Sequence, residues 1–449
     1  MKINVLSILV LILLNWFCRT PVENKLHQNT TSKPWWKESV IYQIYPRSFK
    51  DTNGDGIGDL NGIIEKLDYI KSLGVDAVWL NPIYSSPNDD NGYDVSDYRN
   101  IMSDFGSMND FDNMLKGMHS RGIKLVMDMV LNHSSDEHNW FIQSKSSREN
   151  PYRQYYHWWP AERGKPNYRY SLFDETGNAW TYDSTTNAYY LHYFSKKQPD
   201  LNWENPQLRN EIYDIMKFWA EKGVDGFRLD AFQFAAKDTS FPEFPKGFEN
   251  NFISYYALQG HLHDYLKEMN KTVFQKYHVM SVAEGAGSTF EDAHNLVDES
   301  RNELNMAYAF DGVDLAKPGG YSITRFKEVF TKWDSAFAEN GWLSIFLSNH
   351  DQARLVSRFG NDSGEYKAAS AKMLSTFILS MRGTPYIYYG DELGMTNMGF
   401  TKIEDYRDIS AINGYKKTQL EKGDLKEYLM NLSFSSRDNG RTPMQWDNT

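Results

Sequence analysis

Short apolar runs alternate with amphipathic stretches from residue 35 onward. Eight runs read as strands, at 40–45, 77–80, 124–130, 226–229, 278–283, 306–310, 343–347 and 385–389. Several are apolar at nearly every position, the pattern of a strand buried on both faces. Between them a helical period predicts helices over 60–73, 110–119, 207–221, 323–337 and 366–380. Strands and helices in alternation predict a parallel sheet with crossover helices. Eight such units predict an α/β chain folded as a (β/α)8 TIM barrel. The alternation breaks twice. Residues 133–203 are rich in Tyr, Trp, Asn and Ser with little periodicity, and read as a domain inserted between strand 3 and helix 3. Residues 394–449 form a long, mostly polar segment with a helix near 425–431. The barrel is thus expected over 35–132 and 204–449.

The first residues change the picture at one end. Lys2 precedes an apolar stretch from Val5 to Cys18, interrupted by Ser7 and Asn15. That is too short to span a bilayer comfortably and right for a signal peptide, here 1–20, with a polar linker at 21–34. The chain is expected to be secreted or periplasmic. Cys18 is the only cysteine, so disulfides play no part in the mature chain, and a lipid anchor on Cys18 is an alternative. Asn29, Asn270 and Asn431 open glycosylation sequons. A net charge of −11 disfavours nucleic acid and anionic membranes as partners.

Candidate chemistry sits at the ends of strand candidates. D-M-V-L-N-H (128–133), G-F-R-L-D-A (226–231), S-V-A-E-G (281–285) and S-N-H-D-Q (348–352) each place acidic or His residues after an apolar run. Arg228 and Asp230 are two residues apart on one strand and so share a side. The Arg228 charge is expected to lower the Asp230 pKa and hold it ionised. D-T-N-G-D-G-I-G-D (51–59) puts oxygen donors at Asp51, Asn53, Asp55 and Asp59, with the Ile57 carbonyl between them. That is the start of a calcium loop, or else a plain polar turn.

The four segments, in this order, resemble the conserved regions of the α-amylase family (glycoside hydrolase family 13), over roughly 35–449. The likeness is greatest to the oligo-1,6-glucosidase and α-glucosidase branch. Such enzymes normally carry a last barrel helix and a C-terminal β-domain. Neither is evident here, so the chain is expected to be a piece of a longer protein. The resemblance implies that Asp230 is the nucleophile and Glu284 the acid/base, the latter kept protonated by burial and by the Asp230 charge. It implies that Asp351 and His350 grip the 2- and 3-hydroxyls of the sugar, that Asp128 orients Arg228, and that His133 bonds the 6-hydroxyl. In N-D-D-N-G-Y-D (88–94), Asp90 would bond the 4-hydroxyl and Tyr93 would stack beneath the ring. S-R-D-N-G-R-T-P-M-Q-W (436–446) resembles the segment whose first Arg, here Arg437, pairs with that Asp and closes the pocket behind a terminal glucose. The alternative is that Arg437 is a solvated surface charge. The 51–59 loop matches the branch's single structural Ca2+ (or Mg2+) site. No organic cofactor is expected.

Q-P-D-L-N (198–202) is typical of the oligo-1,6-glucosidase subfamily. Ala231, following the nucleophile, goes there with α-1,4 linkages, where Val goes with α-1,6. One methyl-scale difference is worth only about 1–3 kcal/mol, so α-1,6 bonds or sucrose also remain candidate substrates. Sucrose isomerases carry an R-L-D-R-D loop where this chain reads F-D-G-V-D-L-A (310–316). The expected activity is retaining, exo-acting α-glucosidase action on short oligosaccharides by a monomer. Transglucosylation, and binding without catalysis, are the alternatives.

Overall fold

The computed structural model describes residues 33–447. The signal-peptide reading of 1–20, Cys18, the Asn29 sequon and most of the 21–34 linker lie outside them. From residue 36 onward the chain gathers into one unit.

Eight parallel strands build the sheet: β1 (Ile41–Ile44), β2 (Ala77–Leu80), β3 (Lys124–Val130), β4 (Gly226–Asp230), β5 (Met280–Ala283), β6 (Met306–Ala307), β7 (Ser344–Ile345) and β8 (Thr384–Tyr388). The order is β6-β5-β4-β3-β2-β1-β8-β7. A parallel bridge from Ala307 to Leu343 joins the two ends and closes the barrel. Strands β1, β2, β4 and β5 are buried at every residue, because helices cover the outer face and side chains fill the inside. Strands β6 and β7 are shorter than the apolar runs that encode them: Ala309 and Phe310 reach a cavity and Phe346 packs on Tyr308, outside the ladder.

The predicted helix over 60–73 is two helices, Leu60–Glu65 and Leu67–Ser72, broken at Lys66, whose φ −103° and ψ 7° leave the helical region. The helix Pro206–Lys222 shows why the ends fall where they do. Asn205 caps it by accepting from Gln207 N, Pro206 occupies the first turn, and Gly223 ends it at φ 106°. Between β3 and that helix lies a three-stranded antiparallel sheet (Trp158–Pro160, Ala188–Leu191, Trp180–Asp183). A buried ion pair ties it to the barrel. Lys237 Nζ, just past β4, lies 3.2 Å from Asp200 Oδ2 and donates to Asn132 Oδ1 at 3.0 Å.

After β8 the chain forms two helices, Ile409–Leu420 and Leu425–Ser435. The first was not predicted. Asn270 is buried, and its amide donates to the Glu303 carbonyl, so that sequon is closed to a glycan; Asn431 is exposed on the second helix. Among the described residues no helix is long and apolar enough to cross a membrane.

Candidate active site

Parallel register sets the chemistry. Asp128 of β3 stands opposite Arg228 of β4, so the carboxylate and guanidinium meet inside the barrel at its C-terminal end. Arg228 Nη1 donates to Asp128 Oδ1 at 2.9 Å and to Asp230 Oδ1 at 2.6 Å. Its Nη2 lies 2.9 Å from Glu284 Oε1. One buried guanidinium therefore holds three carboxylates. Ala231 follows with φ 46°, a left-handed turn that costs a side-chain-bearing residue energy. The turn aims its N–H at Glu284 Oε2, 2.8 Å away.

These groups open onto a cavity of about 260 Å³, at the small end for ligand pockets and suited to one sugar ring. Asp90, Tyr93, His133, Asp230, Ala231, Glu284, His350, Asp351 and Arg437 line it, with Leu172, Phe173 and Phe194 from the inserted segment and Ser410 from the helix after β8. Asp128 and Arg228 lie behind this lining.

The far wall is ionic. Arg437 Nη2 lies 3.3 Å from Asp90 Oδ1, its Nη1 donates to Asp351 Oδ1 at 3.0 Å, and its Nε lies 2.5 Å from Asp408 Oδ2. Arg437, its side chain only 15% exposed, is thus ringed by acids and is no solvated surface charge. Gln198 braces the wall from the inserted segment, donating to Asp90 Oδ2 at 3.1 Å. A hydrogen-bond chain fixes the floor. Gln43 Nε2 donates to His350 Nδ1 (2.9 Å), which leaves His350 Nε2 protonated and facing Tyr93 Oη (2.5 Å); that hydroxyl donates to Asp128 Oδ2 (2.9 Å). Tyr93 and His350 stack at 5.2 Å.

Burial dominates the electrostatics. It pushes Glu284 up to about 7, with Arg228 opposing and the Asp230 and Asp351 charges adding. It pushes Asp230 up to about 7 as well, although Arg228 opposes this. The expected lowering of Asp230 is corrected: desolvation outweighs one guanidinium that also serves two other acids. Burial likewise raises Asp128 to about 6 and Asp90 to about 7. Asp351 is the exception. Burial acts to raise it, but the His350 Nε2–H, 3.2 Å from its Oδ2, and the Arg437 and Arg441 charges together hold it well below the ordinary carboxylate range. Burial drives His133 down to about 3 and His350 well below its usual value, so both rings are neutral.

Leu172, Phe173, Phe194 and Ser410 of the lining were not singled out from the sequence, nor were three residues that brace it. Asp408 and Arg441 pair with each other and with the far wall, and Gln198 was read only as part of a marker. Arg441 sits in the same 436–446 segment as Arg437, which was the available signal. Charged residues 33 positions apart carry no sign of their pairing.

The 51–59 loop follows β1. Asp51 accepts from the backbone N–H of Asn53, Gly54 and Gly56, Asn53 from Asp55, and Asp55 from Ile57. Asp59 caps the next helix through Gly62 N at 2.8 Å. Among the described residues no three His, Cys, Asp or Glu side chains converge as a metal centre.

Residues 43–449 match the family described as alpha amylase, catalytic domain. The chain is 54% identical over 430 residues to an oligo-1,6-glucosidase of Parageobacillus thermoglucosidasius, covering 92% of this chain and 75% of that one. An oligo-1,6-glucosidase of Bacillus cereus is 52% identical over 427 residues, covering 92% and 76%. Among solved structures, the isomaltulose synthase SmuA from Protaminobacter rubrum aligns with a TM-score of 0.89 at 46% identity, over 92% of this chain and 76% of that one. Strand-end carboxylates gathered on one guanidinium at the mouth of a closed barrel are what cleavage between sugars needs; with the family match over residues 43–449 and relatives 52–54% identical along 92% of it, the chain belongs to the α-amylase family and is a glycoside hydrolase.

Proposed function

We propose that the chain is a retaining, exo-acting α-glucosidase that removes terminal α-1,4-linked glucose, and α-1,6-linked glucose more slowly, from short oligosaccharides. The observation that supports this reading is the Asp90–Arg437 contact, which lines the same cavity of about 260 Å³ as Asp230 and Glu284 and would serve as its back wall. A cleft open at both ends would admit a long chain; a back wall admits only its non-reducing end.

Within that pocket Asp230 Oδ attacks C1 while Glu284 gives its proton to the leaving oxygen, forming a glucosyl ester on Asp230. Glu284 then takes a proton from water, which attacks C1 and frees Asp230. Asp351 and His350 grip the 2- and 3-hydroxyls, Asp90 and Arg437 the 4-hydroxyl, and His133 the 6-hydroxyl, with Tyr93 beneath the ring. Arg228 sets the attacking and proton-donating carboxylates against one another, with Asp128 holding it from behind.

Ala231 supports the α-1,4 preference, since a β-branched residue at its left-handed turn would be strained and would narrow the pocket. The names of the relatives favour α-1,6 bonds, so linkage is the point to test. Glucose release from maltose, isomaltose and sucrose, measured in parallel, should rank maltose first, and Ala231→Val should raise the isomaltose-to-maltose ratio. Isomaltose first in the unaltered chain would overturn the α-1,4 preference. A second reading, transfer of glucose to a sugar acceptor, is favoured by the likeness to isomaltulose synthases. Isomerised disaccharide formed from sucrose in place of free glucose and fructose would establish it.

The loop at 51–59 fits a structural Ca2+. Its donors are all hard oxygens, Asp51, Asn53, Asp55, the Ile57 carbonyl and Asp59, and the ion would fix the turn after β1 without entering the reaction. The apolar segment ahead of the described residues supports export from the cytoplasm.

A further inference from the structure

Asp408 does not line the sugar cavity, yet two guanidiniums of its far wall converge on one of its oxygens. Asp408 Oδ2 lies 2.5 Å from Arg437 Nε and 3.2 Å from Arg441 Nη1. Arg441 reaches onward to Asp351 Oδ1 with Nη2 (3.0 Å) and to the His350 carbonyl with Nε (2.8 Å). Asp408 is 1% exposed and Arg441 9%. One buried cation, Arg441, and one largely covered one, Arg437 with its side chain 15% exposed, are thus set among three carboxylates, of which Asp90 and Asp351 line the cavity and Asp408 does not. Each guanidinium uses separate nitrogens for separate acids, so neither is free to turn.

The other carboxylate oxygen has a different duty. Asp408 Oδ1 accepts from Ser410 N (2.8 Å) and Ala411 N (3.2 Å) and caps the helix Ile409–Leu420. The backbone of Asp408 is held in turn by Asp438, beside Arg437, whose Oδ2 accepts the Asp408 N–H at 3.2 Å. That helix also meets the inserted segment, since Asn413 Nδ2 donates to the Phe173 carbonyl at 2.9 Å and Phe173 lines the cavity.

We infer that Asp408 is a positioning residue for sugar binding: its shared oxygen keeps Arg437 and Arg441 apart from full pairing with Asp351, so that Asp351 and Asp90 keep lone pairs free for sugar hydroxyls. Without its charge, two like-charged guanidiniums would face only the two acids that the sugar needs. Arg437 would turn its unpaired Nε edge onto Asp351 and lock it. This rests on the α-glucosidase reading for its kinetic readout and not for its structural one.

Asp408→Asn tests it, because Asn caps a helix as well as Asp does and only the charge is lost. The inference predicts a KM for maltose raised about tenfold or more, with kcat changed less than about threefold, thermal stability retained, and in a crystal structure Arg437 turned from Asp90 toward Asp351. Asp408→Ala would add loss of the cap and a lower melting temperature. If Asp408 merely caps the helix, Asp408→Asn leaves KM and Arg437 unchanged and Asp408→Ala lowers stability alone; that result overturns the inference. Should the unaltered chain release no glucose from any α-glucoside, the α-glucosidase reading fails separately. The position of Arg437 in the Asp408→Asn crystal and glucose affinity by calorimetry still decide this one.

Discussion

One guanidinium, that of Arg228, is shared by three carboxylates, and this arrangement sets how the site responds to protons. Asp230 and Glu284 both lie near 7 and interact through the same cation, so they titrate as a pair. On the proposed mechanism turnover needs one proton on the two: Glu284 protonated, Asp230 bare. Below the pair's range Asp230 is protonated and cannot attack; above it Glu284 has nothing to donate. The expected kcat/KM profile is a narrow bell around neutral pH, and Glu284→Gln should erase its alkaline limb for substrates with good leaving groups. Flat kinetics from pH 5 to 9 would refute the pairing. Asp230→Asn should lower kcat by about four orders of magnitude or more with the circular-dichroism spectrum intact; near-normal turnover would remove Asp230 from its role. At this scale the sequence was readable wherever side chain and strand end coincide, as at Asp230 and Glu284. The direction of the Asp230 shift was not, because neighbouring residues in the chain reveal its cation and conceal its burial.

Elements were legible in proportion to how local their cause is. Strands β1 to β5 announce themselves as apolar runs, and the helix Pro206–Lys222 carries its cap, its proline and its terminal glycine in order. The helix Ile409–Leu420 carries the Asp408 cap but neither the proline nor the terminal glycine. It holds Gly414 in its middle and buries only Ala411 fully, so it owes its place to Asp408 and to contacts with the inserted segment. The loop after β1 is another locally encoded element, folded by its own Asp and Asn side chains. If it holds Ca2+ as proposed, chelator should lower the melting temperature, added Ca2+ should restore it, and Asp55→Ala should abolish the difference. A melting curve indifferent to chelator would leave the loop as a polar turn.

Across the whole molecule, buried acids make stability depend on pH. Asp391, 3% exposed at the end of β8, is pushed up to about 7 by burial, with its Ser348 partner opposing. A carboxyl whose native pKa is raised favours folding while protonated. That contribution is present below about 4, its unfolded value, and is lost as pH rises through about 7. Asp391→Asn does not titrate, so its stability relative to the unaltered chain should improve from pH 4 to pH 8 by roughly 2–4 kcal/mol, read from urea midpoints. A constant difference would mean that Asp391 is ionised throughout. The barrel's closure has a consequence of another kind. Asp90 and Arg437, which meet at the back of the pocket, are 347 residues apart in sequence. Synthesis proceeds from the N-terminus, so Asp230 and Glu284, the proposed nucleophile and acid/base, emerge from the ribosome long before Arg437 can complete the wall behind them. A nascent chain carries its reactive groups without the back wall of the pocket, and on the proposed mechanism hydrolysis begins only once the segment around Arg437 has been translated and folded back onto the first strands.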